Sequence, residues 1–248
     1  MHCTTVRIRN ATVCLGLALV MALSVSAPAS AQAAQGTVSI EAFTLSGTQF
    51  GTPTGRPTLV ATDPLALPIT DGEDFRYSSI ECSSPEARFN NVGLDFTPDF
   101  PGLDDPASIR SVIEGEVTSV SNSGNRGTVE GTVTSFLCVN GEETDVIVAA
   151  FESEFRRTGN SMLQLRGGDV RTTGGLKLTG GTFEIVSGTG MFDSLTGAGT
   201  LTGQFTCLPS TLDRNDAKRC TDLGAFSEAI FQLQGSYSDP APGPASGS

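Results

Sequence analysis

Nowhere in this chain do ten or more consecutive residues carry apolar side chains at the three-and-four spacing of a helix; alternation with period two recurs instead. That alternation runs through TVSIEAFTL (37–45), FRYSSIEC (75–82), EARFNNVGLDF (86–96) and SMLQLRGGDVR (161–171). It returns in GLKLTGGTFEIV (175–186), GAGTLTGQFTC (197–207) and GAFSEAIFQLQGSY (224–237). The last segment is read as a closing strand, although Phe226, Ile230 and Phe231 also suit a short helix. DVIVAAFESEFRR (145–157) begins as a continuous apolar run and then alternates, as a strand does when one end is covered on both sides. Residues 46–73 and 97–106 are rich in Pro, Gly, Thr and Asp and read as connections. The expectation is an all-β chain of nine to eleven short strands, closed into a single antiparallel β-barrel. Glycines within the strands favour a barrel, because tight coiling needs positions without a side chain.

IEGEVTSV (113–120) and VEGTVTSF (129–136) match at Glu, Gly, Val, Thr and Ser, sixteen residues apart. The intervening SNSGNRG reads as a turn, so the pair reads as an antiparallel hairpin. Two copies fall short of a solenoid.

The N-terminus is built differently. Arg7 and Arg9 precede an apolar run from Ala11 to Val25, followed by Pro28 and the small residues of Ala29–Ala34. That is the pattern of a cleaved secretory signal peptide over residues 1–34, too short in its apolar part for a membrane anchor. No later segment is apolar enough to cross a bilayer, so no membrane insertion is expected. The expected barrel domain spans 35–238, and DPAPGPASGS (239–248) reads as a disordered tail. Loss of the leader removes two Arg and no acid, taking the formal charge from −12 to −14. A secreted or periplasmic protein of that charge is not expected to bind nucleic acid or an anionic membrane.

Cys3 and Cys14 leave with the leader; Cys82, Cys138, Cys207 and Cys220 remain, an even number suited to an oxidising compartment. Of the three pairings available, we expect Cys207–Cys220, closing the loop LPSTLDRNDAKR, and Cys82–Cys138, joining distant strands. No C-x2-C spacing is present, which argues against zinc.

The inventory excludes much chemistry. The only histidine is His2, in the leader, so a Ser-His or Cys-His site is not expected. Lys177 and Lys218 lie in no catalytic motif, and Lys177 reads as exposed on a strand face. SGTG (187–190) lacks both a following helix and a Gly-Lys-Ser/Thr, so it is not a phosphate cradle. DGED (71–74) and Asp104-Asp105 fit no calcium loop. Neither a metal nor a cofactor is expected.

Gly188 and Gly190 read instead as the bend between two strands, at backbone angles other residues avoid. Phe183, Ile185, Gly188-Thr189-Gly190, Phe192 and Gly197 resemble the pattern F-x-I/V-x-x-G-T-G-x-F with a nearby Gly, found in the allene oxide cyclase and dirigent superfamily. The resemblance is specific over about 25 residues, and the strand pattern extends it over roughly 37–237. It implies an eight-stranded antiparallel barrel with an apolar cavity, and it treats the motif as structural. The 46–73 connection, the four cysteines and the 208–219 loop depart from the superfamily pattern.

Two functions then compete. One is a binding or structural module of the cell exterior, holding a small apolar molecule. The other is a cofactor-free cyclase or dirigent-like enzyme steering an already reactive intermediate. Tyr77, Glu114, Arg156 and Arg166 are the candidate ligand-binding residues, with Arg171 beside them. Glu114/Glu116 and Glu152/Glu154 are two residues apart, so each pair shares one strand face. Inside a barrel such a pair would supply an acid; outside, it would line a solvated surface.

Overall fold

The computed structural model describes residues 33–42, 59–63, 65, 69–79, 81–83, 93–103, 107–158, 162–165, 168–171, 175–208 and 226–242. The alternation becomes β-structure almost throughout. The first strands are β1 (Ala34–Ala42), β2 (Leu59–Asp63), β3 (Asp74–Ser78) and β4 (Gly93–Thr97). They are followed by β5 (Ala107–Val120), β6 (Arg126–Val139), β7 (Glu142–Thr158), β8 (Met162–Leu165) and β9 (Gly168–Arg171). The series ends with β10 (Gly175–Gly188), β11 (Thr196–Leu208) and β12 (Phe226–Asp239).

β5, β6, β7, β10, β11 and β12 hydrogen-bond in succession as antiparallel neighbours. The seam between β12 and β5 is closed twice. β1 and β4 bridge it along most of β12 and at the start of β5, while β2 and β3 bridge it elsewhere. By either route eight strands complete the ring, so the chain forms a single antiparallel β-barrel. The 113–120 and 129–136 segments form the expected hairpin, with Gly115 opposite Gly131.

Two segments differ from expectation. β2 falls inside the 46–73 stretch read as a connection; its Leu-Val-Ala run is short, and it meets β12 through only two residue pairs. The 161–171 segment read as one strand holds two, since Met162–Leu165 and Gly168–Arg171 pair antiparallel as β8 and β9.

Inward side chains form rings around the barrel, and one ring explains the interior glycines. It runs Phe75, Gly115, Gly131, Phe151, Phe183, Gly199, Gly235, Val38 and Phe96, each opposite the next or beside it in space through the strand ladder. Two Gly–Gly pairs thus alternate with bulky residues in a single layer. A Cβ on Gly115 would stand 2.2 Å from the Glu130 carbonyl oxygen and 2.8 Å from the Phe75 ring; one on Gly131 would stand 2.2 Å from the Glu114 carbonyl oxygen. The layer holds its Phe rings because the facing strands carry nothing there. Beside it, Tyr77, Phe205 and Phe231 pack at 4.9 and 5.3 Å between ring centroids.

One end of the barrel is stoppered by the β10–β11 corner, a 3₁₀ turn over Gly190–Phe192. Met191, Phe192 and Leu195 are buried there, and Phe192 meets Phe96 and Phe100 at 6.1 and 5.5 Å. Thr189 ties the corner to β7: its N–H donates to the Val146 carbonyl and its hydroxyl accepts from the Val146 N–H. Of the two glycines expected to need unusual angles, Gly190 has φ +58°, whereas Gly188 is required for space. A Cβ on Gly188 would stand 2.0 Å from the Phe192 carbonyl oxygen.

Cys82 and Cys138 form the expected disulfide, with Cα atoms 5.4 Å apart. The expected Cys207–Cys220 bridge falls outside the described side chains. Near the stoppered end, Asp239 is fully buried; its Oδ1 accepts from the Ser194 hydroxyl and from the Ala241 N–H.

Candidate functional site

On the outward face, strand register assembles what the sequence scatters. Asp74 lies opposite Glu116, Glu116 opposite Glu130, and Glu130 opposite Glu152, giving four carboxylates in one row across β3, β5, β6 and β7. The next outward row runs Arg76, Glu114, Thr132, Ala150, Glu184 and Ala198 from β3 to β11. Between the rows the floor is backbone at Gly115 and Gly131, whose missing side chains would point inward. Together they line an open groove of about 910 Å³. Six carboxylates (Asp74, Glu114, Glu116, Glu130, Glu152 and Glu184) face one guanidinium, that of Arg76.

Arg76 and Glu114 approach to 3.8 Å, with both side chains about half exposed (53% and 52%). A pair that open to water contributes little. Carboxylates directly opposite across strands repel, so the four-membered row reduces fold stability in exchange for a concentrated negative potential.

The sequence-derived candidates do not converge. Tyr77 points inward, fully buried against Phe75 and Phe205. Glu114 points outward into the groove. Arg156 is also exposed, lying in another outward row opposite both Arg126 and Lys177. Glu114 and Arg156 therefore do not line the barrel interior, because their positions have the parity of the solvated face. Arg166 and the Arg171 side chain fall outside the described residues. Lys177 is exposed, as its strand position suggested.

Sequence reasoning misses Glu130 and Glu184, and it weighs Asp74 only within DGED, as a calcium loop. The hairpin held the clue for Glu130: centring IEGEVTSV and VEGTVTSF on their turn brings Glu116 opposite Glu130. Asp74 joins through a pairing between β3 and β5 that no local motif announces. Among the described residues, no group of three or more His, Cys, Asp or Glu is arranged to hold a metal ion.

Fold and surface together define a class: a disulfide-braced antiparallel barrel with a filled interior layer and an acidic outer groove. No family model, curated protein or solved structure matches this chain. No helix among the described residues is long and apolar enough to cross a membrane.

Proposed function

We propose that this chain is a secreted or periplasmic binding module, a non-enzymatic relative of the allene oxide cyclase and dirigent barrels, that takes a cationic ligand in its acidic outer groove. The carrying observation is the row Asp74–Glu116–Glu130–Glu152 beside a groove floor of glycine backbone, with Arg76 as the one counter-charge among the described lining residues. A disulfide is compatible with the proposed compartment. The superfamily reading draws support from the eight-strand ring and from the Phe183–Gly197 motif falling at a barrel corner.

The cyclase reading draws no comparable support. Of its candidate polar groups, Glu114 and Arg156 face solvent, and the central inward layers are mainly apolar, with Ser111, Ser135, Ser153 and Asp145 as buried polar members. A small apolar ligand inside the barrel draws less support too, since among the described residues the rings of Phe75, Phe151, Phe205 and Phe231 pack together in its central part.

The test is calorimetric titration with hexalysine at low and high salt. Binding is expected at low ionic strength and is expected to weaken as salt screens the groove. The triple substitution Glu116→Gln, Glu130→Gln, Glu152→Gln should lower affinity about tenfold or more while slightly raising the melting temperature, because opposed charges are removed. Unchanged affinity in that variant, or no binding by the parent at low salt, would sink the proposal.

A further inference from the structure

Among the described residues, Asp239 is the one fully buried carboxylate with an oxygen left over. Its Oδ1 is bonded twice, whereas Oδ2 has no hydrogen-bond partner among the described residues. A buried carboxylate oxygen without a donor is costly and calls for one. Directly across the β1–β12 ladder from Asp239 stands Ala34, the first residue of β1. Opposed residues in an antiparallel pair have Cα atoms only about 4.5–5.5 Å apart. The Ala34 nitrogen, one bond from that Cα, is therefore within reach of the Asp239 side chain.

Immediately upstream the sequence reads Ala31-Gln32-Ala33, small residues at the first and third positions, the pattern cut after its last residue in exported chains. A cut there frees the Ala34 nitrogen. We propose that the Ala33–Ala34 peptide bond is the export cleavage site and that Asp239 is the built receptor for the α-ammonium this cleavage creates. This inference rests on the export reading above. Water adds across the bond under an export peptidase; Ala33 leaves as a carboxylate and Ala34 keeps the ammonium. The cut precedes folding, so the burial of Ala34 in the finished barrel does not obstruct it.

The new terminus brings three N–H donors and a positive charge where the peptide offered one N–H. It supplies Oδ2 with a donor and sets a positive charge beside the buried carboxyl group, adding a charge-assisted bond across the first rung of β1–β12. It also moves the boundary expected from sequence by one residue. On this proposal Ala34, which pairs with Asp239 and is itself buried, becomes the first residue of the barrel.

The experiment begins with the full-length chain expressed through a bacterial secretory pathway and the mature protein's N-terminus read by sequencing and intact mass. Ala34 is the expected first residue. A mature protein starting at Gln32 or Gln35 overturns the proposal while leaving export intact, whereas a secreted-fraction failure with Met1 retained overturns the export reading itself. Melting temperatures then test the receptor role. The chain starting at Ala34 should melt about 5–10 °C above one starting at Gln32, and Nα-acetylation of Ala34 should remove that difference. Asp239→Asn should lower the melting temperature of the Ala34 form much more than that of the Gln32 form. Equal melting of the Ala34, Gln32 and acetylated forms, which needs no Asp239 variant to fold, overturns the proposal.

Discussion

Tyr237 shows how a single side chain joins strand, stopper and charge. Its ring packs edge-on to Phe96 at 4.7 Å, and its hydroxyl donates to the Pro98 carbonyl at 3.1 Å. Burial, with the negative charges of Asp239 and Asp99 adding to it, raises its pKa above the ordinary tyrosine value. The stability it contributes is therefore complete below about pH 10, where tyrosine ionises in the unfolded chain. That contribution is lost as pH rises through the elevated folded value, since only the unfolded chain gives up the proton in between. Tyr237→Phe should cost about 1 kcal/mol at pH 7 through the lost hydrogen bond. It should also flatten the decline in stability above pH 10. Urea midpoints measured from pH 7 to 11.5 check both; a parallel decline in parent and variant would contradict the assignment.

At the scale of the element, β5 and β6 carry the bend and the charge on opposite faces of the same two three-residue stretches. Glu114 and Glu116 flank Gly115, while Glu130 and Thr132 flank Gly131, so inward space and outward acidity are set by one register. Gly131→Val should be among the most damaging single changes, costing about 3 kcal/mol or more, because its branched side chain must enter space held by the Glu114 backbone and Gly115. Thermal denaturation reads the loss directly; a drop under 1 kcal/mol would mean that the layer can open. Much of this element was legible in advance. The repeated E-G spacing and the polar turn fixed the hairpin, and Phe183 to Gly197 fixed the corner. What stayed hidden was a partner brought in by ring closure, Asp74 against Glu116, and the register that sets Gly199 against Gly235 across the long β11–β12 connection. Parity along Ile113–Val120 was readable as well: Ile113 and Val117 share it with Gly115 and mark the inward face, which puts Glu114 and Glu116 on the outward one.

Over the whole molecule, the Cys82–Cys138 bridge clamps residues 56 apart in sequence, one lying after β3 and the other in β6. Loop-closure entropy for that span stabilises the fold by about 4 kcal/mol. Cys82→Ser with Cys138→Ser should lower the denaturation midpoint accordingly, and reduction of the parent should reproduce the shift. The closing of the seam has a further consequence, in time rather than in energy. Of the described strands, β1 is the first to be synthesised and β12 the last, yet nine residue pairs join them. Hairpins β5–β6 and β6–β7 can form while the chain is still growing, but β1 has no β12 to pair with until some 200 residues have followed it. At about 5–20 residues per second that wait is on the order of ten seconds or longer. Barrel closure is thus a post-synthetic event: the contacts of greatest sequence separation complete the ring, and the nascent chain stays open until its final strand arrives.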